Sequence, residues 1–249
     1  MENKKTEVDI ILPNYNSKDF IDKTIKSVLD QSYTKWKLII IDDFSNFETR
    51  KKIEKYEKFK KIKIYWLKKN KGAAYCRNFG INNSNSKYIA FIDSDDIWAK
   101  NKLKLQITFM KKHNHHFTYT NYKTIGLKKK IVNPPKKLSF YDFIKNTSIA
   151  TSAMIITRTI SNGIKFTNTK VCEDYFFKCQ ILKKIKFAHC LNRSLTEYRI
   201  RRDSLQSNKV KNLYWIWKIN NRYNKLSFLN NLISLTSISI NSIKKYGFK

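Results

Sequence analysis

Tyr88-Ile89-Ala90-Phe91-Ile92-Asp93-Ser94-Asp95-Asp96 is the stretch that decides the fold. Its apolar run is too short for a helix and ends in a polar turn, which is the pattern of a strand buried on both faces. The turn carries three carboxylates within four residues. At about 4 Å and an effective dielectric near 20, each pair of such charges repels by about 4 kcal/mol. A solvated turn tolerates that repulsion, and a hard divalent cation removes it. Magnesium and manganese bind through one or two carboxylates and complete their shell with substrate phosphates.

Upstream the pattern repeats. Val8 to Leu12 is a second apolar run, ended by Pro13-Asn14-Tyr15-Asn16. Ser17 is placed to cap a helix in which Phe20, Ile21, Thr24, Ile25, Val28 and Leu29 recur at helical spacing. Leu38 to Ile41 reads as a strand stopped by Asp42-Asp43, Thr49 to Phe59 as a charged helix, Ile62 to Leu67 as a strand, and Gly72 to Asn82 as a helix. Apolar strands alternating with helices predict a parallel sheet covered on both faces, with its ligand crevice beyond the carboxyl ends of the strands. Asp42-Asp43 could accept hydrogen bonds from a base or ribose there, or merely form a helix-capping turn. Arg77, among Asn70, Gly72 and Asn78, suits stacking or bidentate contact with a nucleotide, or a solvated helix start.

Downstream the signals are less regular. Lys100 to Lys112 reads as a helix, Phe117 to Tyr122 as a strand, Pro134-Pro135 as a loop and Ala153 to Ile156 as a strand. Glu173 to Lys184 is a helix with Phe176, Phe177, Ile181 and Leu182 on its apolar side. Its opening Glu173-Asp174 is either ordinary first-turn charge or a general base. In the tail, Leu226 to Ile243, one helix face carries Leu229, Leu232, Ile233, Ile240 and Ile243 with lysines behind. Such a helix lies on a membrane surface or packs on the domain's own core. The simplest organisation is one domain over residues 1–208 and a helical appendage over 209–249.

Composition narrows the function. The 249 residues are 41% hydrophobic and 14% aromatic, enough for a core that buries roughly 75% of the unfolded surface and too much for a disordered chain. No run reaches the roughly 18 apolar residues of a membrane span, and charged Met1 to Glu7 leads straight into a strand, so the expected address is the cytosol. The four cysteines form no CxxC pair and the four histidines no HExxH, which argues for free thiols and against zinc. Neither GxGxxG nor GxxxxGK occurs, so dinucleotide dehydrogenases and P-loop NTPases drop away. Lys plus Arg number 51 against 19 Asp plus Glu, a formal charge of +32. That excess fits a non-catalytic nucleic-acid binder, an anionic membrane surface or a generally Lys-rich composition. An acidic crevice would repel a phosphate backbone, which weighs against nucleic acid.

Taken in order, several strings resemble glycosyltransferase family 2. They are Pro13-Asn14-Tyr15-Asn16, Ser27-Val28-Leu29-Asp30-Gln31-Ser32-Tyr33, Leu38-Ile39-Ile40-Ile41-Asp42-Asp43-Phe44-Ser45 and Asn70-Lys71-Gly72. Ala74-Tyr75-Cys76-Arg77-Asn78, the Tyr88 to Asp96 stretch, Glu173-Asp174 and Tyr198-Arg199-Ile200 follow. The resemblance runs over residues 6–210, and within the family it points to short bacterial members that build surface polysaccharide. It implies the GT-A fold, a Rossmann-like, mostly parallel sheet with helices on both faces. It also implies an inverting transfer from a nucleotide-diphospho-sugar, a UDP-sugar by resemblance, to a hydroxyl of a cell-surface or lipid-linked glycan at the cytoplasmic face of the inner membrane.

The same resemblance implies site roles. Asp43, with Pro13 and Tyr15 nearby, would contact the base, and Arg77 would lie along the nucleotide. Asp93 and Asp95 match the DXD motif, with Asp95 and Asp96 at a Mg or Mn ion. Asp174 matches the catalytic base. Arg199 and Arg201 would lie by the diphosphate. Many members carry His two residues after the Tyr-Arg pair; here that position is Arg201, so Arg201 or Arg202 would meet diphosphate in its place.

Overall fold

Every residue of the first strand, β1 (Val8–Asn14), is buried. Alternate residues of a strand point to opposite faces, and here both faces are covered. The computed structural model describes residues 6–167, 169, 171–201 and 208–246. After β1 come α1 (Ile21–Leu29), β2 (Trp36–Asp42), α2 (Phe47–Glu54), β3 (Ile62–Trp66), α3 (Ala73–Asn82) and β4 (Tyr88–Phe91). β1 pairs in parallel with both β2 and β4, and β2 with β3. Ile11 joins Ile39, Ile41, Ile89 and Phe91 in one core, while Ile10 and Leu12 join Leu38, Ile40 and Ala90 in the other. Helix α1 seals the second core with Ile21, Ile25 and Val28; burying each such side chain stabilises the fold by about 1.5–3 kcal/mol.

Ser17 does not cap α1. Its hydroxyl donates to the Asn14 side-chain carbonyl, and its own carbonyl accepts from the Phe20 and Ile21 amides, so the helix begins one turn later than its sequence signal. On the other face α3 lies hard against β1: a Cβ on Gly80 would sit 2.6 Å from Ile11 Cγ2. Real side chains do not approach so closely, so only glycine lets the helix sit at this depth.

The second half is mixed. It runs β5 (Ile97–Trp98), α4 (Lys102–His113), β6 (Phe117–Gly126), β7 (Lys130–Val132), β8 (Lys137–Leu138), α5 (Phe140–Phe143) and β9 (Ile155–Thr157). Then come α6 (Glu173–Lys184), β10 (Ala188–Ile200), α7 (Lys209–Arg222) and α8 (Phe228–Tyr246). The sheet order is β3-β2-β1-β4-β9-β6-β10-β5, with β7 beside β6 and β8 beside β10. β9 is antiparallel to both its neighbours, and β10 is parallel to β6. The expected strand at Ala153 to Ile156 starts only at Ile155, behind a 3₁₀ turn over Thr151–Ala153.

Helices α7 and α8 share the core of the rest of the chain. Ile216 and Ile219 of α7 and Ile238 of α8 belong to the main core with Phe91 and Phe177. The Tyr175 hydroxyl of α6 donates to Asn220 Oδ1 of α7 at 2.7 Å. Among the described residues, no helix is long and apolar enough to cross a membrane.

Candidate active site

The carboxyl ends of β1, β2 and β4 and the start of α6 enclose a cleft of about 230 Å³. It is lined by Pro13, Asn14, Tyr15, Asp43, Ala73, Cys76, Arg77, Asp93, Ser94, Asp95, Val171, Cys172, Glu173, Tyr198 and Arg199. The expected positions Pro13, Tyr15, Asp43, Arg77, Asp93, Asp95 and Arg199 are thus brought together. Asp96, Asp174 and Arg201 are not among the lining residues. Arg202 lies outside the described residues.

Two neighbouring aspartates at the end of β2 take different parts. Asp42 is fully buried and accepts from Asn14 Nδ2 at 2.8 Å, the Ser45 amide at 3.1 Å and Arg50 Nε at 3.0 Å. It holds the turn and does not face the cleft. Asp43 accepts the Lys71 and Gly72 amides, each at 2.7 Å. That arrangement docks the start of α3 on β2, and Gly72 at φ 84 supplies the turn. Tyr15 stands 53% exposed at the rim, free to cover a planar group.

At the end of β4, Asp93 and Asp95 face the cleft. Burial, reinforced by the charge of Asp93 and partly offset by Arg201 and Arg199, lifts the Asp95 carboxyl to about 6. Arg201 Nη1 lies 3.6 Å from Asp95 Oδ2, and Arg199 Nε donates to the Asp95 carbonyl at 3.0 Å. Asp96, expected beside the metal, turns inward instead. It is 1% exposed, and its Oδ1 accepts the Arg199 amide at 2.8 Å, while its Oδ2 is buried without a hydrogen-bond partner. Burial and the neighbouring carboxylates push its pKa well up. Asp96 therefore anchors β10 beneath the cleft.

Arg77 is a buried hub. Nη2 donates to Asp93 Oδ1 at 2.7 Å and Nη1 to Glu173 Oε1 at 2.8 Å. Burial works against its charge, but Asp93 and Glu173 outweigh that and hold it protonated. It joins the β4 wall to the α6 wall and lines the cleft between them. At the start of α6, Glu173 lines the cleft; burial raises its carboxyl, with Arg77 pulling the other way. Asp174 points aside, accepting from Lys178 Nζ at 2.7 Å and Thr151 Oγ1 at 3.0 Å. Burial alone would raise it, but the Lys178 ammonium prevails and holds it at about 2.

Several supporting residues carry no sequence signal. Ser152 Oγ accepts the Asp93 amide at 2.9 Å, and its carbonyl accepts Trp98 Nε1 at 2.7 Å. Cys172, just before Glu173, sits at φ 62, and Asn16 and Phe44, each next to a cleft residue in sequence, also have positive φ. Non-glycine residues in that region concentrate at functional sites. The Asp174–Lys178 spacing is visible as an i,i+4 pair, but its burial is not.

Carboxylate oxygens with one aspartate lifted by burial and by its neighbour suit a hard divalent cation. Among the described residues no three His, Cys, Asp or Glu side chains gather to hold an ion unaided, so a cation here would take part of its shell from a ligand.

Residues 9–176 match the profile of the family described as Glycosyl transferase family 2. The chain is 34% identical to a putative teichuronic acid biosynthesis glycosyltransferase of Bacillus subtilis, over 98% of this chain and 99% of that one. It is 35% identical to the Escherichia coli UDP-Glc:alpha-D-GlcNAc-diphosphoundecaprenol beta-1,3-glucosyltransferase WfgD, over 97% and 95%. Among solved structures, Staphylococcus aureus TarS 1-349 in complex with UDP-GlcNAc superimposes with a TM-score of 0.75 at 20% identity, covering 96% of this chain and 73% of that one. A mannosyltransferase of Pyrobaculum calidifontis with GDP-Man and Mn2+ gives 0.71 at 12% identity, covering 96% and 70%.

Proposed function

The chain belongs to glycosyltransferase family 2 and has the GT-A fold, and from that premise we propose an inverting transfer of a hexosyl or N-acetylhexosaminyl group. The donor is a UDP-sugar and the acceptor a hydroxyl of a lipid-linked or growing cell-surface glycan. The observation that carries this reading is the cleft itself, with Asp43, Asp93 and Asp95 on one wall and Glu173 of α6 on the other. Tyr15 and Asp43 bound the base pocket, and Arg199 and Arg201 lie by the diphosphate. The similarity to an E. coli enzyme whose name specifies UDP-Glc and a diphosphoundecaprenol acceptor supports both partners.

Asp95 and Asp93 would hold a Mg or Mn ion, replacing the Asp95-Asp96 pair expected from sequence. Such an ion supplies Lewis-acid stabilisation of charge on a departing diphosphate. For the base, the family motif selects Asp174, and we retain it. In the state described, Asp174 must first be released from Lys178 before it can take a proton, because a carboxyl held at about 2 is a weak base at neutral pH. Glu173, already at the cleft with a raised pKa, is the second candidate.

The test is turnover of UDP-sugars with manganese, with chelator, and in two variants. Asp174→Asn should lower kcat by about 10²–10⁴-fold with donor affinity kept, and Glu173→Gln should do less. The reverse ranking assigns the base to Glu173. Failure of every UDP-sugar to raise the melting temperature overturns the donor reading.

A further inference from the structure

Helix α8 is amphipathic in the wrong sense for a helix at the surface of a soluble domain. Its inward side is partly polar: Asn231 and Ser234 are buried, with Asn220 Nδ2 donating to both and Ser234 Oγ donating to the Ile144 carbonyl. Its outward side is apolar. Phe228 is 73% exposed, Leu229 64% and Ile240 54%, with Leu232 and Ile233 exposed between them. Positions 228, 229, 232, 233, 236 and 240 form one stripe, interrupted only by Thr236. Contiguous exposed apolar side chains on this scale mark an interaction surface.

Charge says what covers it. From Lys209 to Lys249 the chain holds eight Lys and Arg and no Asp or Glu. At the N-terminal end of the stripe, Lys183, Lys186 and Lys225 line a cavity of about 470 Å³ together with Leu226 and Asn230. An apolar stripe beside cations, with no acid to repel phosphate, is the pattern of a helix lying in the headgroup layer of an anionic bilayer. We propose that α8 docks this protein flat on an anionic phospholipid surface, the stripe entering the acyl boundary and the lysine-lined cavity taking a phosphate headgroup. The inference rests on the preceding reading only for the purpose of docking, which is to meet a lipid-linked acceptor.

The test uses the full chain and vesicles of phosphatidylcholine with or without phosphatidylglycerol. Truncating the tail would strip Ile216, Ile219 and Ile238 from the core, so point variants are needed. Leu232→Asn with Ile233→Asn should lower the partition onto anionic vesicles by at least about tenfold. Lys183→Gln with Lys225→Gln should lower it several-fold and weaken its salt dependence. Both variants should keep the wild-type melting temperature and UDP-induced shift, so loss of docking is read separately from loss of the donor site. Unchanged partition of the stripe variant, or equal binding to pure phosphatidylcholine, overturns the proposal. So does a wild-type dimer in light scattering that the stripe variant reduces to a monomer, since the face would then belong to a second copy.

Discussion

The aspartates at the end of β4 and the aspartate at the start of α6 are opposites in electrostatics. Asp93 and Asp95, at the end of β4, stand beside each other with Arg201 at 3.6 Å, Arg199 and the shared Arg77 as partial offsets, and burial together with the Asp93 charge lifts Asp95 to about 6. Asp174, at the start of α6, is equally enclosed but has a buried ammonium at 2.7 Å and falls to about 2. The difference lies in what covers each group and not in residue type. The β4 pair is left short of positive charge. The α6 aspartate is already neutralised by its ammonium.

The contrast can be broken experimentally. The largest effect expected is from Asp95→Asn, which should cost about 10³-fold or more in kcat/KM while the melting temperature holds or rises, because a repelled charge is removed; activity within a few-fold of wild type would end the idea of an electron-rich wall. Next is Lys178→Met. Leaving Asp174 enclosed without its partner should destabilise the fold by about 3–5 kcal/mol in urea unfolding, and Asp174→Asn in the same chain should restore part of it. A full-sized loss that the second change does not relieve would mean packing, not charge, holds the pair.

A smaller effect is expected from acid. Asp174 has a native pKa of about 2, below the ordinary aspartate value near 3.9. The unfolded chain therefore takes up the proton first as pH falls, so the stability this group contributes is complete above about pH 4 and is lost by about pH 2, on the order of 2 kcal/mol. Melting curves over that range should slope in wild type and flatten in Asp174→Asn. The smallest effect is that of Arg201→Ala. Its guanidinium is partly exposed and beyond hydrogen-bonding distance of Asp95, so donor affinity should fall only several-fold in titrations with UDP.

The two walls also differ in how far the sequence reveals them. Unbroken apolar runs give β1, β2 and β4, and helical spacing gives α1 and α3, because both periods survive when every face is buried. The carboxylates then fall where strands end, and Asp43, Asp93 and Asp95 come to line one cleft. What does not show is direction after the last strand residue: Asp95 and Asp96 are adjacent, and the partner that Asp96 meets on turning inward, the Arg199 amide, lies on the distant β10. β10 itself is hidden because register shifts at Leu191/Ser194 and Ser194/Thr196 break its alternation. The α6 wall depends on Thr151 in a 3₁₀ turn and on Cys172 in a left-handed conformation, and neither residue type announces such a role. In the tail, periodicity locates the stripe of α8 but is blind to which way it faces.

The contact between Gly80 and Ile11 reaches further than packing. Gly80 lies three residues after Arg77 on α3, on nearly the same face of the helix. A hydrogen atom in place of a methyl group thereby sets how deeply that helix is seated, and so how far the guanidinium extends between Asp93 and Glu173. The span of a charged bridge across the cleft is thus calibrated from below, by the thickness of an apolar seam in which no charge takes part. Enlarging position 80 would lift the helix and misalign the bridge while leaving every polar residue of the cleft unaltered.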